Sequence, residues 1–161
     1  GNKTKGGFFK KDASKALFVL DPSTGDYKPL AEVAKPLPAF VGEMKVAIRV
    51  GRYQRAMDVF CCAEGREADL LRKVVLGYIS YGLNRVGEVV QHARDVDRIM
   101  GFGFNWAPPS VLADAIGARR TIQLLEQAKL AVPRVLVEAA EKNVHLFDEP
   151  EVDRGRFFFA A

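Results

Sequence analysis

The chain has 161 residues, of which 48% are hydrophobic, 27% charged and 10% aromatic. This composition excludes a disordered tail, a collagen-like fibre and a disulfide scaffold, and the length suits one domain, or one domain with an appendage. The longest uncharged apolar stretch, residues 74–83, is half as long as a membrane-spanning helix, which needs about 20 residues. The chain opens with neither a secretory signal nor a methionine. We therefore expect an internal fragment of a cytoplasmic protein, without a membrane span.

The formal net charge of +4 arises in one short segment. Residues 1–15 contain five lysines and one aspartate, whereas the other 146 residues carry 19 basic and 19 acidic side chains. Proteins that bind nucleic acids usually concentrate positive charge on the face of the folded body. We therefore expect no nucleic-acid partner.

The first 30 residues predict β-structure, with short strands at residues 8–10 and 16–20. Turn-forming residues at 21–25 separate the second strand from Tyr27. Pro36 and Pro38 then mark a linker. We predict that residues 1–35 form a β-rich linker or tail.

From about residue 39 to 142 the pattern is helical, beginning with short helices at 40–48 and 53–62. The strongest signal is an apolar helix face with residues three or four apart, namely Leu71, Val75, Ile79, Leu83, Val86 and Val90. Other apolar residues extend this surface most of the way round the helix, namely Val74, Leu76, Tyr78 and Tyr81. We therefore predict the buried central helix of an all-α domain. Gly77 and Gly82 within it indicate close backbone packing.

Shorter helices are predicted after the central one. Asp95 can cap a helix that runs to Met100 and ends at residues 101–103. Residues 108–110 start a helix that Gly117 ends, a further helix carries Ile122, Leu125 and Ala128, and the last begins at Pro133. Residues 145–147 and 156–159 predict a terminal β-hairpin. The helical domain is thus predicted over 36–143 and the hairpin over 144–161.

Few residues carry a chemical signal. No glycine-rich phosphate loop and no nucleophile–base pair occur, so we predict neither a nucleotide site nor a catalytic residue. Cys61 and Cys62 are adjacent, which strains any bridge between them, and we expect two small buried residues in a reducing compartment. His92 and His145 are too far apart in sequence to predict a zinc site.

Four further polar or aromatic residues are candidates for a binding or a structural role. His92 is expected at the C-terminal end of a helix, where its side chain would interact favourably with the helix dipole. Asn84 and Arg85 could bind a carboxylate or phosphate, but an exposed helical pair is the simpler interpretation. Trp106 could line a pocket, although packing at a corner between helices is the ordinary role of such a residue.

Two stretches resemble 3-hydroxyacyl-CoA dehydrogenases, in the form found in multifunctional fatty-acid β-oxidation proteins. Residues 1–11, GNKTKGGFFKK, are similar to the G-N-K-T-x-x-G-F-Y-K signature that closes the first C-terminal helical domain of those enzymes. Residues 97–117 are similar to the family pattern D-x-A-M-x-x-G-F-G-W-x-x-G-P-F-x-x-x-D-x-I-G. The residues of this chain singled out in that motif are Gly103, Asn105, Trp106, Pro109, Asp114 and Gly117.

The resemblance implies a mainly α fold, a dehydrogenase C-terminal-type helical domain of the 6-phosphogluconate dehydrogenase C-terminal-like kind, with a β-hairpin at each end. It also implies that NAD and a catalytic His–Glu pair belong to a preceding Rossmann domain, so that this fragment holds no cofactor. The chain would be a second, duplicated helical domain. Its partners would be the preceding dehydrogenase domains of the same chain and the parent's acyl-CoA substrate.

Two departures from the family pattern bear on function. The family's substrate-positioning asparagine falls on Leu71 or Arg72, and neither side chain can donate and accept in one plane as an amide does. Pro108 stands where glycine is usual and removes a backbone N–H. We therefore expect a non-catalytic domain that is structural or shapes the substrate channel.

Two expectations concern binding partners. The alternative function is a basic binding module, whose lysine-rich N-terminus binds acidic partners or CoA phosphates. The apolar surface around Val74, Leu76, Tyr78 and Tyr81 exceeds what one small domain needs for its core. It predicts a homodimer of the free fragment; in the alternative interpretation, the N-terminal β segment and the closing hairpin cover this surface.

Overall fold

The computed structural model describes residues 6–104, 106–148, 153 and 157. The protein is mainly helical, with a small antiparallel sheet near the N-terminus, as the sequence predicts. Its contacts divide the chain into two compact units, Gly1–Leu37 and Pro38–Ala161. The described residues of the predicted hairpin segment, 144–148, 153 and 157, fall within the second unit.

The first unit is a three-stranded sheet. Its strands are β1 (Phe9–Lys11), β2 (Leu17–Leu20) and β3 (Tyr27–Pro29), paired antiparallel in chain order. Aspartates hold both turns, since Asp12 Oδ1 accepts from the N–H groups of Ser14 and Ala16, and Asp21 Oδ1 accepts from that of Ser23. The predicted β-structure is confirmed here. A one-turn helix, α1 (Leu30–Val33), follows where the sequence predicts only a linker.

The second unit contains seven α-helices within its described residues. They are α2 (Ala39–Arg49), α3 (Tyr53–Cys62), α4 (Arg66–Leu83), α5 (Ala93–Arg98), α6 (Pro109–Ile116), α7 (Ala118–Gln127) and α8 (Arg134–Lys142). A π-helical turn, Ile99–Gly103, follows α5 directly. Helix α4 packs against α3, α5, α6 and α7, so the predicted central helix is confirmed.

The central helix is shorter than predicted. It ends at Leu83, and Asn84 Nδ2 donates to the carbonyl oxygens of Ser80 and Ala131. Gly87 then adopts a φ of +85°, which closes a turn where Val86 and Val90 form an isolated bridge. The predicted helical continuation to Val90 is therefore wrong, because the spacing of apolar residues continues past the point where the backbone turns.

The buried face of α4 is also rotated relative to the prediction. Ile79 and Leu83 are fully buried as predicted, but Leu71 and Val75 are half-buried and Leu76 takes their place in the core. Four residues were predicted to form an apolar surface beyond the core, namely Val74, Leu76, Tyr78 and Tyr81. Of these, only Val74 and Tyr81 are exposed. A helix that is apolar on most sides does not reveal from periodicity which side faces the core.

The two glycines of α4 differ in packing. A Cβ atom on Gly82 would lie 3.0 Å from Pro109 Cγ and 3.5 Å from Val96 Cγ1, so α4 and α6 approach as closely as predicted there. A Cβ atom on Gly77 would meet nothing within 4 Å. The prediction is thus confirmed at Gly82 and wrong at Gly77.

Helix α5 begins two residues before the predicted cap. Asp95 is its third residue, and Asp95 Oδ2 accepts from the backbone N–H of His92, which precedes the helix. The predicted C-terminal role of His92 is therefore wrong. Residues 101–103 continue the helix as the π-helical turn instead of ending it. Ala128 follows the last residue of α7 and is exposed.

The predicted terminal hairpin does not form at its first strand. Residues 145–147 have no strand structure, because the N–H groups of Leu146 and Phe147 donate to the Asp114 carboxylate and not to a neighbouring strand. Of the second strand, 156–159, only Phe157 lies within the described residues.

The cysteines differ from each other. Cys61 is half-buried, and burial raises the pKa of its thiol, whereas Cys62 is exposed at the end of α3. The prediction of two buried cysteines is wrong for Cys62. Among the described residues, no helix combines the length and the apolar character that crossing a membrane requires.

Candidate functional site

The segment that resembles the family pattern, residues 97–117, is called the family-like segment. Asp97 lies at its start, in α5, and contacts the beginning of α6. Its side chain is 1% exposed, and Asp97 Oδ1 accepts from the Ser110 N–H at 3.1 Å. Ser110 is the second residue of α6, and Pro109 before it has no N–H, so the carboxylate binds the first free donor of the helix. A negative charge at a helix N-terminus is also favoured by the helix dipole. The observed contact of Asp97 thus stabilises α6.

Asp114 connects α6 to the chain that follows α8. Its side chain is 3% exposed, and its two oxygens accept from the N–H groups of Leu146 at 2.9 Å and Phe147 at 3.1 Å. His145 Nδ1 lies 3.5 Å from Asp114 Oδ2. Backbone donors at both oxygens fix the carboxylate as an anchor for residues 146–147.

The prolines of the segment pack against glycines. Pro109 contacts α4 at Gly82, and a Cβ atom on Gly101 would lie 3.0 Å from Pro108 Cγ. Both prolines are buried. Pro108, the departure from the family pattern, therefore lies inside the packed unit, where its ring fills the space beside the π-helical turn.

Trp106 forms a corner with α4. The Trp106 ring centroid is 5.5 Å from that of Tyr78, and the Trp106 backbone N–H donates to the Met100 carbonyl at 3.0 Å. The Tyr78 hydroxyl donates to the Ala107 carbonyl at 3.0 Å. Burial, and secondarily the charge of Asp97, raises the pKa of Tyr78, so the hydroxyl remains a donor at ordinary pH. Trp106 is still 55% exposed, so it borders the surface and encloses no pocket.

The remaining motif residues lie at the ends of elements. Gly103 ends the π-helical turn and is exposed, and Asn105 lies outside the described residues. Gly117 has a φ of +96° and joins α6 to α7, which is a conformation that favours glycine. The fold brings Trp106 and Pro109 against α4, whereas Asp114 and Gly117 lie at the other end of α6.

The two positions aligned with the family asparagine make structural contacts. Arg72 donates to the carbonyl oxygens of Phe60 at 3.1 Å and Ala63 at 2.5 Å, and it pairs with Asp69 at 2.6 Å. The first two bonds satisfy carbonyls at the C-terminal end of α3, where a cation is favourable. Leu71 packs against the hydrophobic core.

Asn84 and Arg85, which the sequence predicts to be an exposed helical pair, lie just after α4. Arg85 pairs with Glu88 at 2.8 Å, and its guanidinium lies 4.9 Å from the Tyr81 ring centroid. Asn84 is bonded to two carbonyls, as described above. The structure therefore places both side chains on partners within the chain, and the expected exposed helical pair is wrong.

A cleft of about 450 Å³ lies between the junction of α6 with α7 and the end of α8. Sequence reasoning missed it, because its walls come from helices that are distant in sequence. Its polar residues include Asp114, Arg119, Arg120, Asn143 and His145. Arg120 pairs with Asp58 at 2.6 Å and donates to Cys62 Sγ at 3.4 Å. The lining residues include no serine, threonine, cysteine or lysine, so they provide no nucleophile beside His145.

The described residues also contain no group of three or more His, Cys, Asp or Glu side chains placed to hold a metal ion. The candidate site is therefore the family-like segment, 97–117. In the described part of it, the two aspartates bind backbone N–H groups and the prolines fill contacts between helices. This arrangement can join helices, and it presents no set of acid, base and nucleophile.

Comparisons with known proteins give one relative. The chain is 26% identical over 148 residues to a probable 3-hydroxyacyl-CoA dehydrogenase of Bacillus subtilis (strain 168). The match covers 91% of this chain but 18% of that protein, so the chain spans less than a fifth of the relative's length. No family model matches the chain, and no solved structure matches it. The similarity supports the family resemblance.

Proposed function

We propose that this chain is a non-catalytic, structural or substrate-shaping domain of an NAD-dependent 3-hydroxyacyl-CoA dehydrogenase that acts in fatty-acid β-oxidation. The similarity to the Bacillus relative over most of the chain supports the parent enzyme. The use of Asp97 and Asp114 as structural acceptors supports the non-catalytic role, and it is the observation on which the proposal depends. NAD would bind to another domain of the parent.

The alternative, a basic module centred on the N-terminal lysines, has less support. Lys3 and Lys5 lie outside the described residues. Lys10 Nζ lies 4.0 Å from the Tyr27 ring centroid, which is a cation–π contact within the sheet. Lys11 and Lys15 are exposed, so this contact occupies one of the three described N-terminal lysines, and the alternative depends on their charge alone.

A chimaera tests the proposal. The matched segment of the Bacillus relative would be replaced by this chain, and oxidation of a 3-hydroxyacyl-CoA would be measured with NAD⁺. We expect kcat/KM within about tenfold of the parent value, a loss of about 1.4 kcal/mol or less in transition-state stabilisation. A deletion of the same segment is the matched control and should inactivate the enzyme. A chimaera that folds but has no activity would contradict the proposal.

A further inference from the structure

The hairpin of α2 and α3 carries a concentration of positive charge. Residues 44–57 include four basic side chains, Lys45, Arg49, Arg52 and Arg55, and no acidic one. All four are exposed, and none of them forms an ion pair with a carboxylate among the described residues. Some arginines elsewhere in the unit, such as Arg72 and Arg120, do have such partners. The charge on this hairpin is therefore available to a partner.

An apolar groove runs between the same two helices. Its volume is about 370 Å³, and its walls are Glu43, Val46, Ala47, Val50, Arg52, Arg55 and Val59. Val46 is 64% exposed and Val50 is 62% exposed, so two branched apolar side chains meet water beside the arginines. Covering this surface would release water from it, which is favourable. The groove thus combines an aliphatic floor with a cationic edge.

Charge is distributed unevenly along the groove. Arg52 lies at the turn between the helices, and Arg55 is the third residue of α3. Glu43 lies seven residues before Val50, which is about 10 Å along α2 from the turn. A partner would therefore place carboxylates near the turn. A neutral or basic side chain would suit the end near Glu43.

The shape and chemistry favour one class of partner. The walls include no aromatic residue, so they offer no platform on which nucleic-acid bases stack. The apolar floor consists of valines and an alanine and includes no Trp, Phe or Leu, whereas membrane-binding helices carry such large residues on their apolar face. A groove between helices fits the apolar face of another helix, and arginines bind carboxylates at its edge. We propose that this groove docks an acidic amphipathic helix of a partner protein, with its apolar side chains on Val46, Val50 and Val59 and its carboxylates on Arg52 and Arg55.

A designed peptide tests this docking site on the full 161-residue chain. The probe is a fluorescent 16-residue helix with leucines three and four residues apart and glutamates at one end. A peptide of the same composition in scrambled order is the control. Fluorescence anisotropy should show at least tenfold tighter binding of the amphipathic peptide, with an affinity that falls as salt rises because the carboxylate–arginine pairs are screened.

Variants then locate the site. The double charge reversal Arg52→Glu and Arg55→Glu should weaken binding at least tenfold, and so should Val46→Ser with Val50→Ser. Arg94→Glu changes an exposed charge on α5 and should have no effect. All of these side chains are exposed, and circular dichroism checks that each variant keeps its helices.

The same measurements can overturn the proposal. Equal affinity for the scrambled peptide, no binding of either peptide, or binding unaffected by the double charge reversal would each contradict it. Vesicles containing phosphatidylserine and a 20-base-pair DNA duplex serve as competing ligands. Tighter binding of either one through Arg52 and Arg55 would show a lipid or nucleic-acid surface in place of a helix-docking groove. None of these results depends on the proposed enzymatic parent.

Discussion

Asp97 and Asp114 show how a motif residue can be explained without catalysis. A buried carboxylate in a sequence that resembles an enzyme is a candidate for a catalytic acid or base. The two oxygens of Asp114, however, accept hydrogen bonds from backbone N–H groups at 2.9 and 3.1 Å. Asp97 binds the first free N–H of α6. Burying a backbone donor without an acceptor costs about 1–3 kcal/mol, so these contacts give a structural reason for a carboxylate at both positions.

Replacing Asp114 by asparagine tests this role. The amide keeps the shape of the carboxylate, but only one of its two terminal atoms accepts, so one of the N–H groups of Leu146 and Phe147 loses its acceptor. We expect the free energy of unfolding in urea to fall by about 1–3 kcal/mol. The control is Asp148→Asn, an exposed position where the change should be within about 0.5 kcal/mol. Equal free energies of unfolding for the two variants would contradict the structural role of Asp114.

At the scale of secondary-structure elements, α4 organises the second unit. Its core residues Leu76, Ile79 and Leu83 are at most 3% exposed, and α3, α5, α6 and α7 pack against it. Gly82 allows α6 to approach through Pro109. The helix therefore has both a tightly packed side and an exposed side, although its sequence is apolar on nearly every side.

Ile79 is the most direct test of this core. Replacing it by alanine removes three buried carbons, and the cavity should lower the free energy of unfolding by about 2–5 kcal/mol. Lys73→Ala, at an exposed position of the same helix outside the proposed dimer surface, is the control and should change that free energy by less than about 0.5 kcal/mol. A loss below about 1 kcal/mol for Ile79→Ala in urea unfolding would mean that α4 is peripheral.

The two glycines of α4 form a matched pair for testing helix approach. Gly77→Ala adds a methyl group in open space and improves helix propensity, so we expect a gain in unfolding free energy of about 0.5–1 kcal/mol. Gly82→Ala brings the methyl group to 3.0 Å from Pro109, and overpacking should cost about 1–3 kcal/mol. Thermal or urea unfolding measures both variants. A gain of similar size at both positions would contradict the close approach at Gly82.

The sequence predicted most elements because their signals are local. Turn residues, prolines at helix starts and the glycine at 117 each act on their own neighbours, and the helices at 53–62 and 109–116 follow from them. The end of α4 and the missing strand at 145–147 depend on distant partners, namely the Ala131 carbonyl and the Asp114 carboxylate. Periodicity carries no information about such contacts.

The same limit applies to the functional surfaces. The motif aspartates could be found in the sequence, but their backbone partners could not, since Asp114 and Leu146 are 32 residues apart. The charge of residues 16–161 is zero in sum, which hides the unpaired cations at 44–57. Local charge, in contrast to net charge, was the signal that could have revealed this surface.

At the scale of the whole molecule, exposed apolar residues on α4 bear on association. Leu70 is 62% exposed, Val74 54% and Tyr81 69%, and the three lie on the helix that forms the core. Leu76, which the sequence also placed on this surface, is buried. The apolar surface available to a partner is thus smaller than predicted from the sequence, but three large side chains still meet water.

We propose that the free chain pairs through this surface as a two-fold dimer, with a total interface of roughly 1,200–2,000 Å². Sedimentation equilibrium at tens of micromolar should then give about twice the monomer mass of 17.8 kDa. Val74→Glu with Tyr81→Glu should return the chain to monomer, while Val89→Glu, an exposed valine in the turn after α4, should not. A single species near 17.8 kDa at every concentration would contradict self-association.

The central claim is that the chain is a domain without an NAD site or catalysis of its own, whose motif residues hold helices together. Titration calorimetry with NADH tests it most directly, because a formed dinucleotide site releases measurable heat on binding. The account predicts no saturable signal up to about 1 mM NADH, the upper end of ordinary substrate affinities. A dissociation constant in the micromolar range for the 161-residue chain would contradict it.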